Sequence, residues 1–236
     1  EAITYFLKLE ANSDSRWNIL DAYQGLMRAY FAVGRWVEAG TYADKLLAFE
    51  HTGETARFEA RLVLARLLLQ DERYSDAFVA FTSLYEQTKS ETGAAAKYFI
   101  AEIQFKRKEY VPCQNTIFEL VDKIPYYDEW IGRAFLLLAE TYVALDEDFQ
   151  AIATLQSIID NRAADDVTRQ ARQRLEELRA RQVAKRSPQP KAADPEGGTD
   201  GDEADAGTEN GTEESESGDG SEEGDEMQPE KGEQGH

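Results

Sequence analysis

Cysteine is close to absent: Cys113 is the only one in 236 residues, so no intrachain disulfide can form. That leaves the compartment open, because a chain without disulfides is at home in either redox setting. Histidine is almost as scarce, and His51 and His236 lie too far apart for one helix to pair them as metal ligands. No run of 18 apolar residues occurs, so no stretch of the sequence reads as a membrane-spanning helix. A glycine-rich phosphate loop before a helix is missing as well. So are an initiator Met and a signal peptide. Because Glu1 opens inside an amphipathic stretch, the sequence reads as a piece of a longer protein whose targeting signal would lie upstream. With catalytic, metal and cofactor signals all lacking, the expectation is a chain that is not an enzyme and holds no cofactor.

Charge of one sign is plentiful but unevenly placed. Residues 187–236 carry 17 acidic and 2 basic side chains, residues 162–186 carry 8 basic and 4 acidic, and residues 1–161 are left at −9 of the total −20. The sequence is therefore a mildly acidic body, a basic collar and a strongly acidic tail. Nucleic-acid binding needs a basic face on the folded part, which the body lacks.

The body repeats. From Trp17 to Val33 apolar residues return every three or four positions through Leu20, Tyr23, Leu26, Met27 and Tyr30, then Gly34 supplies a stop and Trp36 and Ala39 begin a returning helix. The same phrase recurs with turns at Gln70 to Arg73, before Tyr110 and Pro112, and between Tyr142 and Phe149. One small residue near the start of each returning helix falls at Ala2, Ala39, Ala77, Cys113 and Ala151, at spacings of 37, 38, 36 and 38. In the last two hairpins Ala101 sits twelve residues before Cys113 and Ala139 twelve before Ala151. Small residues at that separation let two antiparallel helices approach closely. Four hairpins follow, at about 17–52, 56–90, 94–124 and 128–161, after a trailing helix at 1–10 that completes a truncated repeat. A hairpin of this kind cannot bury its apolar face alone, so copies must stack.

In these residues the chain resembles the tetratricopeptide repeats, helix pairs with a period of about 34 residues. Tyr23, Leu26 and Tyr30 fit the first helix of one repeat and Phe135, Leu138, Ala139 and Tyr142 that of another; Ala77 and Phe81 fit the second helix, and Pro125 the closing proline. Met27 stands where Gly or Ala is preferred, Gln104 replaces an aromatic, and the fourth turn reads as having one extra residue before Phe149. The resemblance implies an all-α right-handed superhelix built of antiparallel hairpins. The phrasing of Tyr98 to Phe105 and of Trp130 to Phe149 is similar to large repeat proteins of Bacteroidetes, some attached to cell-envelope and secretion machinery. That likeness implies a periplasmic or outer-membrane-associated location, with the cytoplasm as the alternative.

Beyond the repeats, Asp165 or Asp166 is placed to cap a last helix reaching about Lys185, with Val167, Ala171, Leu175 and Leu178 on one face and arginines over the rest. A solenoid needs such a terminal helix with a polar outer side, so residues 162–186 read first as a cap and second as a basic docking site. Residues 187–236 have no aromatic side chain and only Met227 as a large apolar one, which predicts a disordered acidic tail. Within it, Asp200 to Asp205 lacks calcium-loop spacing, since Ala204 stands where a ligand belongs. Asn210-Gly211-Thr212 matches a glycosylation triplet.

Cys113, in a close-contact slot between helices, reads as a small apolar residue rather than a nucleophile. The more informative prospect is a groove. In stacked hairpins the first helices line the hollow side, and their inner rows can be read relative to Met27, Ala65, Ala101 and Ala139. Three residues earlier stand Gln24, Leu62, Tyr98 and Leu136; four later, Phe31, Leu69, Phe105 and Val143; one later, Arg28, Arg66, Glu102 and Glu140. The expectation is two apolar rows flanking a charged one, basic in two repeats and acidic in the next two. Such a surface takes a protein or peptide segment with apolar anchors and a dipolar charge pattern. Core packing between repeats is the competing use of the apolar rows. Some tetratricopeptide domains of chaperone cofactors clamp a terminal carboxylate with Lys and Asn, which Gln24 and Arg28 do not reproduce. The reading is a non-catalytic interaction scaffold. Its alternatives are a structural segment whose groove packs against its own longer chain, or the regulatory subunit of an enzyme.

Overall fold

A computed structural model describes residues 1–161 and 163–186. The expected acidic tail, with Asp200–Asp205, Asn210, Met227 and His236, lies outside the described residues. Those described form ten helices: α1 (Ala2–Asn12), α2 (Arg16–Ala32), α3 (Trp36–Ala48), α4 (Glu54–Gln70), α5 (Tyr74–Gln87), α6 (Glu91–Lys106), α7 (Tyr110–Lys123), α8 (Asp128–Ala144), α9 (Asp148–Asp160) and α10 (Asp165–Arg186). Each packs on its neighbours in chain order, which makes an all-α solenoid of four hairpins (α2–α3, α4–α5, α6–α7, α8–α9) with α1 before and α10 after.

The hairpins are set by sterics at their crossing points. Met27 and Ala39, Ala65 and Ala77, Ala101 and Cys113, and Ala139 and Ala151 are each twelve residues apart, and all eight are buried to within 1% of complete. Met27 is no exception in packing, because the facing α3 offers Ala39, Gly40 and Ala43. A flexible thioether fills a slot that a branched side chain would not. Ala2, the fifth member of the series, is exposed, since no described helix lies before α1 to cover it. The core is a string rather than a ball: α4 belongs to one cluster through Ala60 and Val63 and to the next through Ala65 and Leu69. The α8 helix does the same through Leu138 and Ala139.

All four hairpin turns have one geometry. The N–H of Arg35, Arg73, Glu109 and Glu147 donates to the carbonyl five residues back, each at 2.9 Å, while the N–H of the residue before it donates to the carbonyl three back. This is the Schellman arrangement, which requires a left-handed residue just past the helix end. That residue is Gly34 (φ 74°) in the first turn but Glu72 (φ 57°), Lys108 (φ 61°) and Asp146 (φ 59°) in the others. The fourth turn therefore carries no extra residue. The helix starts at Asp148, in the position of Trp36, Tyr74 and Tyr110, and the aromatic has moved one place to Phe149, where it is 80% exposed. A second correction concerns α6, which begins at Glu91, so Gly93 is helical rather than part of the loop. A Cβ at Gly93 would collide with the Thr88 carbonyl oxygen, and this close approach is why glycine stands there.

The last helix behaves as a cap. Val167, Ala171, Leu175 and Leu178 are buried against α8 and α9, while Arg169, Arg172, Glu176 and Arg179 face solvent. No helix among the described residues is long and apolar enough to cross a membrane.

Two outcomes test this construction of the fold. Glu72→Gly and Lys108→Gly should each raise unfolding stability by about 0.5–1 kcal/mol, by relieving Cβ crowding at positive φ, and Asp146→Gly by less because Asp tolerates that region. Thermal or urea unfolding reads the order, and destabilisation by Lys108→Gly would contradict it. Cys113, 0% exposed with its thiol 3.5 Å from the Thr141 hydroxyl and pushed up in pKa by burial, should react with an aromatic disulfide reagent only as fast as the chain opens. Rapid labelling in native buffer would contradict its placement.

Candidate functional site

The first helices α2, α4, α6, α8 and α10 pack each on the next, whereas among the described residues the second helices α3, α5, α7 and α9 make no close backbone approach to one another. The first-helix side is thus the tighter, hollow side of the stack. Two cavities open on it. One of about 250 Å³ is bounded by α2, α4, α6 and α8, with Met27, Phe31, Leu62 and Trp130 as its apolar wall and Arg28 and Glu59 at its rim. The other, of about 390 Å³, lies between α6, α8 and α10 and is lined by Tyr98, Arg133, Leu136, Glu140, Gln170 and Arg174 among others.

Six of the twelve residues singled out by sequence line these cavities: Arg28, Phe31 and Leu62 in the first, Tyr98, Leu136 and Glu140 in the second. The remaining six, Gln24, Arg66, Leu69, Glu102, Phe105 and Val143, line neither cavity. The row of Phe31, Leu69, Phe105 and Val143 sits in the last turn of each first helix, one residue before its end, where side chains pack across the hairpin turn. Phe31 meets Trp36 edge-on at 4.9 Å and Phe105 lies 5.7 Å from Tyr110. Leu69 is only 5% exposed and belongs to the core, and Val143 packs against the core cluster of α8, α9 and α10. Of that row, Phe31 alone also reaches a cavity.

The charged row is not the open dipole expected of it. Arg28 grips Glu59 of the next hairpin through two hydrogen bonds, 2.9 and 2.6 Å, and Gln24 donates to the same carboxylate at 3.3 Å. Glu140 is held by Arg174 of α10 at 2.7 and 2.8 Å, which keeps the Arg174 guanidinium above its ordinary pKa. Arg66 and Glu102 face each other at 3.5 Å, and Glu102 also lies 3.8 Å from Lys106. The row is a ladder of pairs from each first helix to the next. Between α6 and α8 the rung is aromatic instead, with Trp130 5.7 Å from Tyr98 and 5.5 Å from Phe99.

Sequence reasoning missed Glu59, Trp130, Arg133 and Arg174. The run Gly93-Ala94-Ala95-Ala96, buried throughout, is the signal that could have found Trp130: the start of α6 has no bulk, so the α8 indole reaches past it to the first cavity. Burial has electrostatic consequences here. The Tyr98 phenol is pushed up to about 12 by burial, with Glu102 adding to the effect. The Arg66 guanidinium is pulled below its usual value by burial, which Glu102 opposes and Arg133 reinforces. Among the described residues no cluster of three or more His, Cys, Asp or Glu side chains could hold a metal ion.

No protein-family model matches the chain. Nor does any curated protein match it. Among solved structures, its fold is similar to that of BtubC (BKLC) from P. vanneervenii, with a TM-score of 0.50 at 10% identity, over 85% of this chain and 95% of that one. At such identity the likeness concerns the fold alone.

Proposed function

We propose that this chain is a non-catalytic interaction scaffold of the tetratricopeptide kind, and that its hollow side takes an extended segment of a partner protein. The observation that carries the reading is the cavity walled by Met27, Phe31, Leu62 and Trp130, an apolar recess on an inner side where Arg28 is already paired with Glu59 and Glu140 with Arg174. A recess of this kind suits one large apolar side chain of a peptide, and buried anchors of that sort dominate binding energy. For its setting the proposal follows the resemblance in phrasing, a cell-envelope assembly on the periplasmic side.

Random ten-residue peptides displayed against the full chain should enrich for members with a Phe, Leu or Met anchor. Leu62→Glu, which puts a charge in the recess, should weaken the selected peptides at least about tenfold. Val79→Glu, on the outer side of α5 where Val79 is 68% exposed, should leave them unchanged. Binders indifferent to Leu62→Glu, or no enrichment at all, would contradict the proposal.

A further inference from the structure

We infer that the peptide held in this groove carries a side-chain carboxylate close to its apolar anchor, received by Arg66 and Arg133. The inference rests on the groove reading above and adds the chemistry of the partner.

It starts from how the two arginines are held. The Arg66 guanidinium lies 4.2 Å from the centre of the Phe99 ring and 5.6 Å from that of Trp36, and Arg133 lies 5.5 Å from the Trp130 ring. Stacking uses the face of a guanidinium and leaves its in-plane N–H groups for an acceptor. For Arg66 those groups find no hydrogen bond among the described residues. Its contact with Glu102 is 3.5 Å, too long for one, and its Nε is buried without an acceptor. Arg133 spends one terminal nitrogen on Glu129 at 2.9 Å, and its Nε too is buried without an acceptor. The contrast with Arg28 and Arg174, whose donors are taken up by Glu59 and by Glu140 and Glu177, is the point. Two inner guanidinia are each gripped by a carboxylate through two hydrogen bonds and two are not.

Position fits the same occupant. Arg66 stands one turn along α4 from Leu62, and Arg133 one turn along α8 from Trp130, two of the four residues that wall the apolar recess. Arg133 lines the neighbouring cavity with Tyr98, and Arg66 lies beside it on Phe99, whose ring meets Trp130 at 5.5 Å. Each has one carboxylate beside it, Glu102 at 3.5 Å from Arg66 and shared with Lys106 at 3.8 Å, and Glu129 at 2.9 Å from Arg133. Arg66 feels Arg133 as a like charge. A bidentate carboxylate from the peptide would satisfy in-plane donors and offset that repulsion together. A partner with a basic residue at this place would instead meet an uncompensated like charge.

The test uses labelled twelve-residue peptides, each with one Phe and a Glu two, three or four residues later, and matched series with Gln or Lys in place of Glu. Fluorescence polarisation is read on the full chain at 50 and 150 mM salt. The expected result is that at least one Glu peptide binds tenfold or more tighter than its Gln counterpart and that the Lys peptide is weakest. Arg66→Gln should bring Glu and Gln peptides within twofold of each other, and Arg66→Lys should restore only part of the difference. Should Arg66→Gln fail to fold by circular dichroism, Arg133→Gln, at a half-exposed side chain, carries the same comparison. The assigned Trp130 indole resonance should shift with bound Glu peptide. Equal affinity for Glu and Gln peptides, or preference for Lys, overturns the carboxylate inference while leaving the groove. If no series binds and displayed peptides ignore Leu62→Glu, the groove reading itself is what fails.

Discussion

Two α-helices can approach to about 8–10 Å only where neither presents bulk at the crossing. In this chain that constraint is met four times, at Met27 with Ala39, Ala65 with Ala77, Ala101 with Cys113, and Ala139 with Ala151. The constant separation of twelve residues goes with a constant turn, since three residues stand between the two helices of every hairpin and the middle one is left-handed. One hairpin so formed still has an apolar side, and the next hairpin covers it. The series of three overlapping core clusters is that requirement repeated, and α10 ends it with a face that is polar outward.

The ladder of ion pairs across the first helices has a different weight. Its members are a fifth to three-fifths exposed on the arginine side, and pairs of that kind contribute roughly 0–1 kcal/mol each. Against the burial of a Phe81 or a Leu155, worth about 1.5–3 kcal/mol each, the pairs are minor in stability. Their effect is on register and on recognition: they close the inner surface to charge at Arg28–Glu59 and Glu140–Arg174. What they leave open is the middle, where the connection between α6 and α8 is made by Trp130 on Tyr98 and Phe99. Arg66 and Arg133 lean on that aromatic rung, and so the inner surface is chemically uneven along its length.

The helical period, the hairpin spacing and the buried face of α10 were legible from residue order, because each depends on contacts within one hairpin or one helix. Val167, Ala171, Leu175 and Leu178 could be read off as the inward stripe for that reason. The lining of the two cavities was half legible. A row defined relative to one small residue names side chains on the same helix face, but not how far along the helix each lies from the turn. Leu69, Phe105 and Val143 share a face with the lining residues and are drawn instead into the turn, Leu69 wholly into the core, while Phe31 both meets Trp36 across the turn and walls the first cavity.

Residue order by itself thus determined a stack of helical hairpins with a polar cap, since periodicity and small-residue spacing act locally and need no knowledge of the neighbours. Only the tertiary structure decided which inner charges are spent and which remain, because Glu59, Trp130, Arg133 and Arg174 reach their partners across helices whose relative placement no single repeat encodes. Proximity across repeats depends on the summed rotation of several packed pairs, and that sum is a property of the assembled stack.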